Sequence, residues 1–118
     1  MDERFCDIFD LLYRLGISAN YTGFFQTACA VELCREEPER LKLITKKIYP
    51  EVAWLCGTSG SAVEHNIRTV CDIAWKNNRC LLEQLAHRSF PQKPHNAQFL
   101  AILLHSLPTT DPPSVKRC

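Results

Sequence analysis

The sequence predicts an all-α domain of six helices that contains a helix-turn-helix. Three observations point there. Apolar residues recur at steps of three and four along most of the chain, and no stretch alternates apolar with polar residues over the length of a strand. A glycine-marked turn at Gly57 also joins two such periodic segments, the arrangement in which a second helix stands free to present its polar side.

The first helix is expected over residues 3–15, where Phe5, Ile8, Phe9, Leu12 and Leu15 form one stripe and Gly16 ends it. A second begins near Asn20 to Gly23, runs through FFQTACAVELCRE and closes before Pro38. Both read as amphipathic packing helices without a catalytic pattern. The third segment, PERLKLITKKIYPEVAWLC, carries Leu41, Ile44, Ile48 and Val52 at helical spacing, with Pro50 set to kink or split it.

The organising stretch is residues 50–76. Pro50 suits a first helical position, and Val52, Ala53 and Cys56 give the short helix one apolar face. Gly57 sits where a helix ends in a left-handed residue. Thr58, Ser59 and Ser61 are restart signals, and Ser61 with Glu64 has the spacing of a capping box. Val63, Ile67, Val70, Cys71 and Ala74 then share one face, while Ser61, His65, Arg68, Thr69, Asp72 and Lys76 collect on the other. Two helices joined this way are an ordinary corner of a helical core or a motif whose second helix enters the DNA major groove.

Asn77 and Asn78 mark a break before a fifth helix at RCLLEQLAH. A loop, RSFPQKP, follows. The last helix starts with Asn96 as its cap and turns Phe99, Ile102, Leu103 and Leu107 inward. Residues 1–107 read as one domain, and 108–118, rich in proline and poor in apolar residues, as a flexible tail.

A chain of 118 residues fits one domain, and 46% apolar residues is enough for a core. No apolar run nears the ~20 residues of a membrane span and none resembles a signal peptide, so a cytoplasmic protein with no membrane contact is expected. The net charge of +1 is low for a nucleic-acid binder. Its distribution is uneven: Lys42, Lys46, Lys47, Arg68, Lys76 and Arg79 gather around the central segment, while Asp2, Glu3, Asp7 and Asp10 load the N-terminus. The seven cysteines include no C-x-x-C pair, and no paired histidine spacing suggests zinc. Cys29, Cys56 and Cys71 fall within helices and read as reduced core residues. No metal or cofactor is expected.

Catalysis is not expected either. His87, His95 and His105 lack an evident partner, and Cys71 lies about 120° around its helix from His65.

Laid out in order, LGISANYTG (15–23), LITKKIYPEVA (43–53), TSGSAVEHNIR (58–68), DIAW (72–75) and KPHNAQFLA (93–101) resemble the C-terminal DNA-binding effector domain of stage 0 sporulation protein A. The resemblance covers roughly residues 5–107. It implies a six-helix fold that binds duplex DNA in tandem dimers and touches RNA polymerase, under control of a preceding phosphorylated receiver. No receiver sequence stands in these 118 residues, which fits either an excised effector or one that stands alone.

By position, Ser61, Glu64 and Arg68 match recognition-helix residues of the family, and Lys46 a lysine of the preceding helix. The DNA-facing set expected is Ser61, Ala62, Glu64, His65, Arg68 and Thr69, with backbone contacts from Lys46, Lys47 and Lys76. Thr58, Ser59 and Ser61 sit where a helix N-terminus meets phosphate. Glu64 either accepts from cytosine or pairs with Arg68 four residues on.

Departures from the family all remove cations. Thr22, Ala28, Ala62 and His65 stand at commonly basic positions, and Trp54-Leu55 replaces a Lys-Lys pair. Lost phosphate contacts weaken affinity and flatten its salt dependence, and histidine is cationic only when protonated. The competing expectation is therefore a protein-interaction module on the same fold, with Trp54 and Leu55 as its contact patch.

Overall fold

The computed structural model describes residues 5–108, so the tail expected over residues 108–118 lies, apart from Pro108, outside the described residues. Within them the chain forms five α-helices and no strand: α1 (Cys6–Arg14), α2 (Thr22–Glu36), α3 (Tyr49–Cys56), α4 (Gly60–Ala86) and α5 (Asn96–His105). The expected count of six is corrected here. The segments expected as separate helices on either side of Asn77 and Asn78 run together as α4, bent at Asn78, whose backbone leaves the helical region at φ −153 and ψ 57.

The bend has a local cause. Asn78 Oδ1 accepts from Leu81 N at 3.3 Å, the bond an N-cap makes, while its Nδ2 donates to Arg14 O at 2.9 Å. Asn77 Nδ2 donates to Gly16 O at 3.1 Å. Two consecutive side chains thus satisfy the carbonyls at the end of α1, and the second also caps the rear half of α4.

The segment before α3 is not α-helical. Pro38–Leu43 forms a 3-10 helix and Ile44–Ile48 a π turn, after which α3 starts with Pro50 in its first turn. Pro50 has no N–H to give and its ring crowds the carbonyl four residues back, so the ladder widens before it.

Burial follows the expected faces in α1, α4 and α5. Ile8, Leu12 and Leu15 of the first stripe are fully buried, with Phe5 and Phe9 packed at its rim. Phe99, Leu100 and Leu103 fill the core from α5, and fully burying such a side chain is worth about 1.5–3 kcal/mol. The second helix departs from the amphipathic reading. It packs against α1, α3, α4 and α5 together, so Gln26, Thr27 and Glu32 are buried beside Phe24, Ala28 and Val31.

α2 and α4 approach closely at Gly23. A Cβ there would lie 2.5 Å from Asn66 O and 2.7 Å from Val70 Cγ2, so only glycine lets the backbones meet. Asn66 Nδ2 donates to the buried Gln26 Oε1 at 2.9 Å just beside this contact. The meeting of these helices fixes how α4 is presented.

Candidate functional site: the polar face of α4

α3 and α4 are joined by three residues, Gly57 to Ser59. Gly57 takes φ 68, ψ 42, the left-handed conformation expected of it, and Thr58 N closes the end of α3 by donating to Ala53 O at 2.9 Å. The capping residue is Ser59 rather than Ser61. Its Oγ accepts from Ala62 N at 3.2 Å, and because Ala62 stands three residues on, no reciprocal capping box forms. Ser61 is left exposed at the helix start, its Oγ 3.3 Å from that of Ser59.

Beyond this start the two sides of α4 divide sharply. Val63, Ile67, Val70, Cys71 and Ala74 are all at 0% exposure, while Ser61, His65, Arg68, Asp72 and Lys76 are exposed and Ala62, Glu64 and Thr69 half-buried. Arg68 Nη2 donates to Glu64 Oε2 at 3.0 Å, so of the two roles open to Glu64 the free protein adopts the ion pair. Being half in solvent, such an i,i+4 pair contributes about 0.3–0.5 kcal/mol and leaves the other guanidinium edge open. Thr69 Oγ1 donates back to His65 O at 3.1 Å, so its hydroxyl proton is spent on the helix. Asp72 is paired with Lys93.

Lys46 and Lys47 lie exposed on the π turn ahead of α3, and Lys76 is exposed farther along α4. Thr58 and Ser59 are exposed in the turn itself.

One residue gains a role that the sequence did not suggest. His95, not Asn96, occupies the N-cap of α5, and it makes no side-chain cap. Asn96 Nδ2 instead donates to Tyr49 Oη and to Glu64 O, both at 3.0 Å, tying α5 to the first residue of α3 and the front of α4. The three helices enclose a cleft of about 360 Å³ whose lining includes Tyr49, Glu64, Arg68, Lys93 and His95.

The cysteines divide by position. Cys71 is buried and donates to Pro94 O at 3.5 Å; desolvation pushes its thiol up to about 12. Cys56, expected in the core, is exposed: it follows the buried Val52 and Ala53 by four and three positions but is the last residue of α3. Among the described residues no group of three His, Cys, Asp or Glu could hold a metal ion, and no helix is long and apolar enough to cross a membrane.

Fold and site together define an all-helical domain that displays a long, mixed-charge helix face ahead of a lysine-bearing segment. The chain belongs to the family described as the C-terminal domain of sporulation initiation factor Spo0A, whose profile matches residues 8–107. That family is one of DNA-binding transcription regulators of sporulation rather than of enzymes.

Proposed function

We propose that the domain binds duplex DNA in a sequence-specific manner and regulates transcription, using α3 and α4 as a helix-turn-helix with α4 in the major groove. The observation that carries the reading is the exposure of the α4 face from Ser61 to Lys76 behind a tight left-handed turn, with the opposite face wholly in the core. Ser61, Ala62, Glu64, His65, Arg68 and Thr69 then face base edges. Thr58, Ser59, Lys46, Lys47 and Lys76 meet the phosphates, from which most of the salt-sensitive affinity comes. Both acids on this face are already paired, Glu64 with Arg68 and Asp72 with Lys93, which limits their repulsion of the duplex. Family membership extends the proposal to contact with RNA polymerase, to binding as a homodimer on paired sites, and to action in the cytoplasm.

The test is a salt-dependent titration against a duplex carrying the sporulation-regulator box and against random duplex. Specific binding should fade with salt, and Arg68→Ala should weaken it by about 1–3 kcal/mol if the free guanidinium edge spans a guanine. Equal binding of the wild type and Arg68→Ala to the box would remove Arg68 from the readout.

One observation favours a second reading, that of a protein-interaction module. Trp54 is 80% exposed and Leu55 52% exposed, side by side on α3 where the family carries lysines. An absence of binding to either duplex even at low salt would favour this reading over the first.

A further inference from the structure

The outer side of α3 and of the segment before it carries a row that meets its own complement when reversed. Leu43, Lys47, Glu51 and Leu55 stand four apart, and all of them are exposed. Leu43, Lys47 and Glu51 line one groove, and Leu55 continues the row one turn farther along α3. Rows at steps of four are the ridges along which helices most often pack. Trp54, 80% exposed, flanks the end of the row. Lys47 precedes Glu51, the poorer order for a pair within one helix, and among the described residues neither has an ion-pair partner. The charges beside them are already matched, Glu39 with Lys42 and Arg40 with Glu37.

We propose that this row is a contact between two copies of the chain, set antiparallel about a two-fold axis at the level of Tyr49 and formed without DNA. Reversal about that level carries Leu43 onto Leu55 and Lys47 onto Glu51. In a two-fold contact residue i meets j and j meets i. Lys47 of each copy therefore faces Glu51 of the other, and Leu43 faces Leu55, so both charges and both apolar ends are matched at once. A parallel pairing in the same register sets Lys47 against Lys47 and Glu51 against Glu51. This complementarity of the row with itself selects a second copy as the occupant. Trp54 lies beside Leu55 at each end, where an aromatic ring excludes water from the leucine contact. The inference rests on the protein-interaction reading and names its partner. Because Lys47 lies inside the contact, pairing and duplex binding through Lys47 exclude one another.

The experiment is sedimentation equilibrium of the whole chain without DNA, from about 1 μM to about 1 mM, which spans weak to moderate affinities. A reducing agent keeps the exposed cysteines from linking chains. The expected result is a reversible monomer–dimer equilibrium. Lys47→Glu and Glu51→Lys each set like charges face to face twice and should weaken it by about tenfold or more, with unchanged circular dichroism because both positions are exposed. An equimolar mixture of these two variants should pair as tightly as the parent, since each offers the other the opposite charge at both positions. Leu55→Ala should weaken association as well. The proposal is overturned by a monomer throughout the range, by a dimer indifferent to all three substitutions, or by a mixture that stays monomeric. None of these results bears on the protein-interaction reading as such, which the duplex titration decides.

Discussion

Replacing Gly23 with alanine tests the claim that the presentation of α4 is fixed by its contact with α2. The added Cβ would stand 2.5 Å from Asn66 O, whereas ordinary contact begins near 3.4 Å. The obstructing atom is main chain inside a helix, so it cannot rotate away, and the two helices must part by about 0.9 Å. Parting them stretches the neighbouring 2.9 Å bond between Asn66 and Gln26, whose amide is buried. Overpacking of this kind costs about 1–3 kcal/mol, and the better helix propensity of alanine returns at most about 0.5–1 kcal/mol. The net expectation is a loss of about 1–2 kcal/mol, or a melting point lower by roughly 4–8 °C for a domain of this size. Urea titration with unchanged slope, together with a thermal melt followed by circular dichroism, measures it. An unchanged or raised midpoint would refute the close-approach argument.

Two further outcomes follow from local geometry. Ser59→Ala removes the side chain that accepts from Ala62 N and should cost about 0.5–2 kcal/mol in urea titration, whereas Ser61→Ala should cost little. Glu83 accepts from Phe90 N at 2.8 Å and from Arg79 Nε at 3.1 Å, and these bonds, the backbone one first, hold its carboxyl below the ordinary glutamate value of 4.5. A depressed carboxylate adds stability above its unfolded-state value and loses it as pH falls through the lower folded-state one. Glu83→Gln should therefore be less stable than the parent at neutral pH, and the gap should close on acidification in a series of melts.

The features legible in the sequence were those governed by short-range rules. Periodicity located the stripe of Ile8, Leu12 and Leu15 and the buried side of α4, and the demand for a left-handed residue located the end of α3 at Gly57. The same reasoning put the discontinuity at Asn77 and Asn78 correctly but took it for an end. Whether an asparagine stops a helix or merely bends it depends on Arg14 and Gly16, more than sixty positions earlier, whose carbonyls occupy the two amides. Asn96 misled for a similar reason. Its composition suits a cap, but its partners, Tyr49 and the carbonyl of Glu64, are supplied by tertiary packing. Cys56 was assigned inward with Val52 and Ala53; those two are buried, whereas Cys56, as the last residue of α3, is exposed.

For the candidate site, position along α4 already separated the polar-face residues from the core. What the sequence left open was which polar groups are occupied. Glu64 and Arg68 were visible as a pair by spacing, whereas the return of Thr69 onto His65 and the reach of Lys93 to Asp72 required the folded backbone.

The bend at Asn78 also solves a problem of length. At 1.5 Å per residue, 27 residues of straight helix would reach about 40 Å, while the whole molecule measures 39 Å in its longest direction. An unbroken rod would run the full length of the body it belongs to. Turning the rear third aside returns Leu82 to full burial and leaves the front two-thirds free to lie along the outside of the domain.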